Sequence, residues 1–76
     1  MAQYTVREGV RYRATVSLDW LEALADNETV AAKFREVGFD EVTVEGEGDE
    51  RVVEGTWPFK NASADIPSQV THIEEA

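Results

Sequence analysis

Seventy-six residues, with sixteen acidic side chains against seven basic ones and no cysteine, set the formal charge at −9 and exclude a disulfide framework or a thiolate metal site. A charge of that sign repels phosphate backbones and anionic lipid surfaces, so nucleic acid and membrane are not expected as partners and a protein is. Hydrophobic residues at 42% belong to a folded chain, expected as a single domain over 1–76, and so short that a partner or a second copy is a natural source of further burial.

The opening "MAQYTVREG" lacks the apolar run of a signal peptide, and no window approaches a membrane span. With no cysteine either, a cytoplasmic location is expected. "QYTVR" reads as a short strand. Glu8-Gly9 then turns it back as a hairpin, or Gly9 is a bulge within one longer strand. "VRYRATVSL" carries the clearest alternation in the chain. Val10, Tyr12, Ala14, Val16 and Leu18 share one face, and Arg11, Arg13, Thr15 and Ser17 the other, which predicts a half-buried strand.

Asp19 and Glu22 have capping-box spacing and mark a helix start. Leu21, Leu24 and Ala25 form one apolar stripe, and Val30, Ala31, Phe34 and Val37 a second that is out of line with the first. The region is therefore a kinked helix or two helices, roughly 20–25 and 28–37, with Asp26 or Asn27 capping the second. Gly38 ends it, followed by the hydrophobic Phe39. "DEVTVEG" and "RVVEGTW" are the arms of a hairpin with a loop of about four to six residues, closed by Pro58. Val42 and Val44 share a face of one arm, and Val53, Gly55 and Trp57 a face of the other. "KNASADIPSQ" is a polar connection with room for one helical turn, and "QVTHIEE" a final edge strand.

The order (β)βαββ(β) predicts an α+β two-layer sandwich. An antiparallel sheet of four to five strands is covered on one face by one helical region, kinked or split. The layout is related to the ferredoxin-like one, with its second helix missing or reduced to a turn. The uncovered sheet face then carries Arg11, Arg13, Thr15 and Ser17 beside Glu41, Thr43, Glu45, Val52, Glu54 and Thr56. Cross-strand Arg–Glu pairs are expected there. Arg11, Arg13, Thr43, Glu45, Glu54 and Thr56, with Trp20 at the helix start, make up the candidate interaction surface. Tyr12, Trp20, Phe34, Phe39 and Trp57 stand at core-facing positions.

No residue set reads as catalytic, cofactor-binding or metal-binding. The acidic loop with Glu45, Glu47, Asp49 and Glu50 lacks the calcium-loop pattern and fits a turn. His72 is a lone histidine and cannot build a histidine zinc site. No glycine pattern cradles a phosphate, and a chain this short has little room for a pocket beside its core. The run "KFREVGFDEVTVEGEGDERVVEGTWPF" resembles the middle of a SPOR domain, where a helix, a glycine, a strand, a turn and a strand ending near "GPF" follow in order. That resemblance covers about a third of the chain and implies a ferredoxin-like fold and binding to bare peptidoglycan glycan strands. "GTWPF" departs from the family's ending, and the second helix is missing. From the residues themselves the expectation is a non-enzymatic interaction or assembly module that self-associates, with a homodimer as the simplest form. The alternative is an acidic inhibitor that mimics nucleic acid in a partner's basic groove.

Overall fold

The computed structural model of the chain describes residues 2–19 and 21–76. Its main sheet is built around β2 (Arg11–Ser17), where Tyr12, Ala14 and Val16 are buried and Arg11, Arg13, Thr15 and Ser17 face the other way. β4 (Glu50–Thr56) pairs with one edge of β2 and β6 (Val70–Glu75) with the other, both antiparallel. β3 (Asp40–Glu45) completes the order β3-β4-β2-β6.

β1 (Ala2–Val6) is a separate strand, as one reading of "QYTVR" has it, but it forms no hairpin with β2 and does not extend it. Both edges of β2 are already occupied by β4 and β6, so a third partner has no free edge to join. The chain turns at Gly9, whose φ is +78°, with the Gly9 amide on the Trp57 carbonyl and the Val10 amide on the Arg7 carbonyl. β1 then crosses the buried side of the sheet and pairs with β5 (Ala62–Ile66) in a two-stranded antiparallel ribbon. The helical turn expected in "KNASADIPSQ" is replaced by this strand. Ala64 and Ile66 are buried at alternate positions, and Tyr4 stacks edge-on to Tyr12 with centroids 5.8 Å apart. Over the described residues the sandwich is therefore α+β with six strands in two antiparallel sheets, and one layer is shared by a helix and a ribbon.

The helical region is split. Asp19 and Glu22 do form a reciprocal capping box: the Glu22 amide donates to Asp19 Oδ1 at 2.9 Å and the Asp19 amide to Glu22 Oε1 at 3.1 Å. It opens only a single 3-10 turn, Glu22–Leu24. Residues three apart eclipse in that geometry, and Leu21 and Leu24 both face solvent, 60% and 80% exposed. Of the first apolar stripe only Ala25 packs against the core, and it is half-buried. The second is a core stripe: α1 (Asn27–Val37) buries Val30, Ala31 and Phe34. A Schellman motif ends it, with the Gly38 amide on the Arg35 carbonyl and the Phe39 amide on the Phe34 carbonyl. Phe39 is buried against Phe34, Tyr12 and Trp57.

Asp26 caps α1. Its Oδ1 accepts from the Thr29 amide at 2.8 Å and the Thr29 hydroxyl at 2.7 Å, and these bonds hold its carboxyl below the usual carboxylate range. The unfolded chain takes up the proton first. The cap's contribution is therefore full above the ordinary aspartate range and is lost as the pH falls toward the lower folded value. Asp26→Ala is expected to lower the melting temperature by roughly 5 °C at neutral pH. Asp26→Asn, which still accepts from the Thr29 amide, restores most of that loss but without the acid dependence. Thermal unfolding monitored by circular dichroism between neutral and acid pH reads both.

Candidate functional site

The open face of the four-stranded sheet gathers five of the expected surface residues into one hydrogen-bonded cluster. Register places Arg13 opposite Glu54 and Arg11 opposite Thr56, with Thr43 opposite Glu54 on the far side. Glu54 accepts from Arg11 Nε through Oε1 and from Arg13 Nε through Oε2, both at 3.1 Å. The Arg11 guanidinium also donates to the Thr56 and Thr43 hydroxyls. A β-bulge between Asp40 and Thr43, with Glu41 at φ +50°, brings the Glu41 carbonyl within 3.1 Å of Arg11 Nη1. Glu45 lies beyond the cluster, opposite Val52. Trp20 lies outside the described residues, so its expected contact and core roles have no counterpart here.

This cluster is largely satisfied within the sheet. Hydrogen bonds from Arg11 and then Arg13 pull the Glu54 carboxyl below its ordinary range, so these pairs contribute above that range and fade as pH drops through it. Glu54→Gln is expected to lower the urea midpoint slightly at neutral pH and to leave it unchanged at a pH where the wild-type carboxylate is protonated. A deficit that persists in acid would assign the effect to packing instead of charge.

The other expected features are placed as ordinary surface. The hairpin loop 46–49 uses Gly46 and Gly48 at positive φ, and Glu45, Glu47, Asp49 and Glu50 are exposed around it. Among the described residues, no three His, Asp or Glu side chains stand close enough to share a metal ion. His72 is exposed on the edge strand β6, on the open sheet face opposite Thr15 and 3.6 Å from Glu74.

On the covered face the structure departs most from expectation. The ribbon and α1 share one layer, yet α1 and β5 barely touch. Between them runs a groove of about 840 Å³, so room for a pocket exists beside the core. Its floor is Val16 and Trp57 from the sheet, and one wall is Val30, Phe34 and Val37 of α1. The other wall is β5, through Ala62 to Asp65. Thr29, Lys33 and Glu36 on the helix and Glu22 and Gln69 at one end supply the polar rim. Gln69 Nε2 donates to Glu22 Oε2 at 2.6 Å across that end.

The 3-10 turn beside this end is held by a residue that sequence reasoning passed over. Arg51 is 3% exposed, on the buried face of β4. Its Nη2 donates to the Ala23 and Ala25 carbonyls at 3.0 and 2.9 Å, its Nη1 to Asn27 Oδ1 at 2.8 Å and its Nε to the Gly48 carbonyl at 3.1 Å. Strand parity was the available signal, since Arg51 is in phase with Val53 and Gly55. The turn it fixes leaves Leu21 and Leu24 exposed, while its neighbours Glu22 and Ala25 line the groove.

No protein-family model, curated protein or solved structure matches this chain, so the SPOR-like reading rests on residues 33–59 alone.

Proposed function

We propose that this chain is a small non-catalytic protein-interaction module and that the groove between α1 and β5 is where it holds its partner. The observation that carries the reading is an apolar-walled groove of about 840 Å³ in the layer that covers the sheet. A domain this short gains little from leaving apolar surface open, and an exposed apolar patch of this kind marks an interaction site. Its titratable side chains stand on the rim while the interior is aliphatic and aromatic, a lining suited to holding apolar groups and not to moving protons. The open sheet face fits a solvated role better, because its arginines are already engaged by Glu54 and the two threonines.

The order β3-β4-β2-β6 with α1 between β2 and β3 supports a ferredoxin-like-related reading in which β5 stands in place of a second helix. A shared layout carries no function by itself.

A neutral solvatochromic dye tests the groove. It is expected to bind saturably, once per chain, and to lose that binding in Ala62→Trp, which fills the groove from an exposed strand position. Proteins retained on the wild-type chain and released by the same substitution would be its partners. Absence of saturable dye binding to the wild type would remove the reading.

A further inference from the structure

The geometry points to a specific occupant: an extended segment of a protein partner that adds as a strand to the free edge of β5, with alternate apolar side chains in the groove and basic side chains along its rim. This inference rests on the groove being the binding site, and it goes further by naming how the partner is held.

The strand edge is the first observation. Four consecutive residues, Ala62 to Asp65, line the groove. Successive side chains of a strand point to opposite faces, so a run of neighbours can line one groove only if the strand turns its edge toward it. β1 occupies the other edge and contributes nothing to the lining. Among the described residues, neither α1 nor any side chain hydrogen-bonds the backbone of 62–66. The groove-facing amides and carbonyls of β5 are thus donors and acceptors in search of a partner, the requirement for strand addition.

Dimensions agree. Five residues of β5 span about 16 Å, and eleven of α1 also about 16 Å, so the walls match in length; α1 and β5 meet over part of that length, and the added strand is a short one that pairs with the part of the edge α1 leaves open. With period-two side chains, every second residue of that strand points down to the floor of Val16 and Trp57, beside the apolar wall of α1. A helical occupant would fill the apolar space and leave the β5 edge unpaired.

Charge selects the partner. Glu22, Glu36 and Asp65 stand on the rim against one cation, Lys33, which itself leans toward Glu36 at 4.0 Å. An inserted segment therefore meets net negative charge on a chain of formal charge −9, and basic residues beside its apolar ones are attracted. A second copy fits worse. The exposed Leu21 and Leu24 of a neighbour would arrive among Asp19, Glu22, Asp26 and Glu28, acid against acid.

Random ten-residue peptides displayed against the immobilised full chain test this, followed by amide hydrogen exchange of the chain with the best-enriched peptide. Enriched peptides are expected to alternate apolar residues, to carry net positive charge, and to protect the 62–66 amides. Combined Glu36→Lys and Asp65→Lys should weaken their binding about tenfold and flatten its salt dependence. Helix-patterned or acidic peptides, or protection confined to other elements, would overturn strand addition. If the solvatochromic dye still enters the groove in that case, the broader binding reading survives. If neither dye nor peptide binds, both fall. Concentration-dependent dimerisation that protects the 62–66 amides without peptide would assign the edge to a second copy and also overturn the inference.

Discussion

Arg51→Met is expected to cost about 3–5 kcal/mol, a large share of the roughly 4–11 kcal/mol that a chain of this length holds. The side chain is buried, and its guanidinium serves four oxygens: the carbonyls of Ala23, Ala25 and Gly48 and the Asn27 side chain. Methionine fills similar volume and donates nothing, so those acceptors lose their partner together. Asn27 also donates to the Gly46 carbonyl at 3.1 Å, which ties the start of α1 to the hairpin loop through the same cluster. Arg51→Lys tests the geometry separately from the charge. An ammonium offers a point charge where the fork of a guanidinium reaches several carbonyls at once, and it is costly to bury, so the lysine variant should fall between wild type and methionine. Urea unfolding measures the total. Hydrogen exchange at the Ala25 amide, bonded to the Glu22 carbonyl, reports whether the 3-10 turn detaches first. A methionine variant as stable as wild type would mean that water replaces the guanidinium at no cost.

Arg51 also marks where the sequence stops being legible. Its phase in β4 places it inside and its charge argues for outside; three backbone carbonyls and the Asn27 side chain, brought together from residues 23–27 and the hairpin loop, reverse the second argument, and no local window contains them all. The elements that could be read have local causes. β2 shows itself through Tyr12, Ala14 and Val16 against Arg11 and Arg13. The helix stop at Gly38 and Phe39 needs only six residues to form its hydrogen bonds. The hairpin is set by Gly46 and Gly48 between two valine-bearing arms. From these the open sheet face follows by parity, which is why Arg11, Arg13, Thr43, Glu54 and Thr56 meet as expected. β5 is different. "ASADI" has only one β-branched residue, and its pairing with β1 depends on β6 taking the second edge of β2, a choice made at the far end of the chain. The groove is harder still to foresee. It arises because α1 and β5 share a layer without closing on each other, and separation between two elements leaves no pattern in either.

Gly38→Ala is expected to cost about 2–5 kcal/mol through two terms that a second substitution can separate. The first is backbone strain. Gly38 sits at φ +129° and ψ 0°, a conformation that a Cβ makes unfavourable, and the Schellman bonds from Gly38 and Phe39 fix it there. The second is collision. A Cβ at this position would lie 2.9 Å from Trp57 Cζ3 and 3.0 Å from Cη2. The indole cannot yield easily, because Nε1 donates to the Lys60 carbonyl at 2.9 Å and the ring packs in T-shaped pairs with Phe39 and Phe59. Phenylalanine at position 57 lacks the outer ring, so Trp57→Phe removes the atoms the new methyl would strike. The double variant should therefore be more stable than the sum of the two single losses predicts, by about 1–2 kcal/mol. Equilibrium urea unfolding of the four proteins closes the cycle. Strict additivity would show that strain at Gly38 is the whole cost, and that the edge of Trp57, which also floors the groove, has slack enough to admit a methyl group.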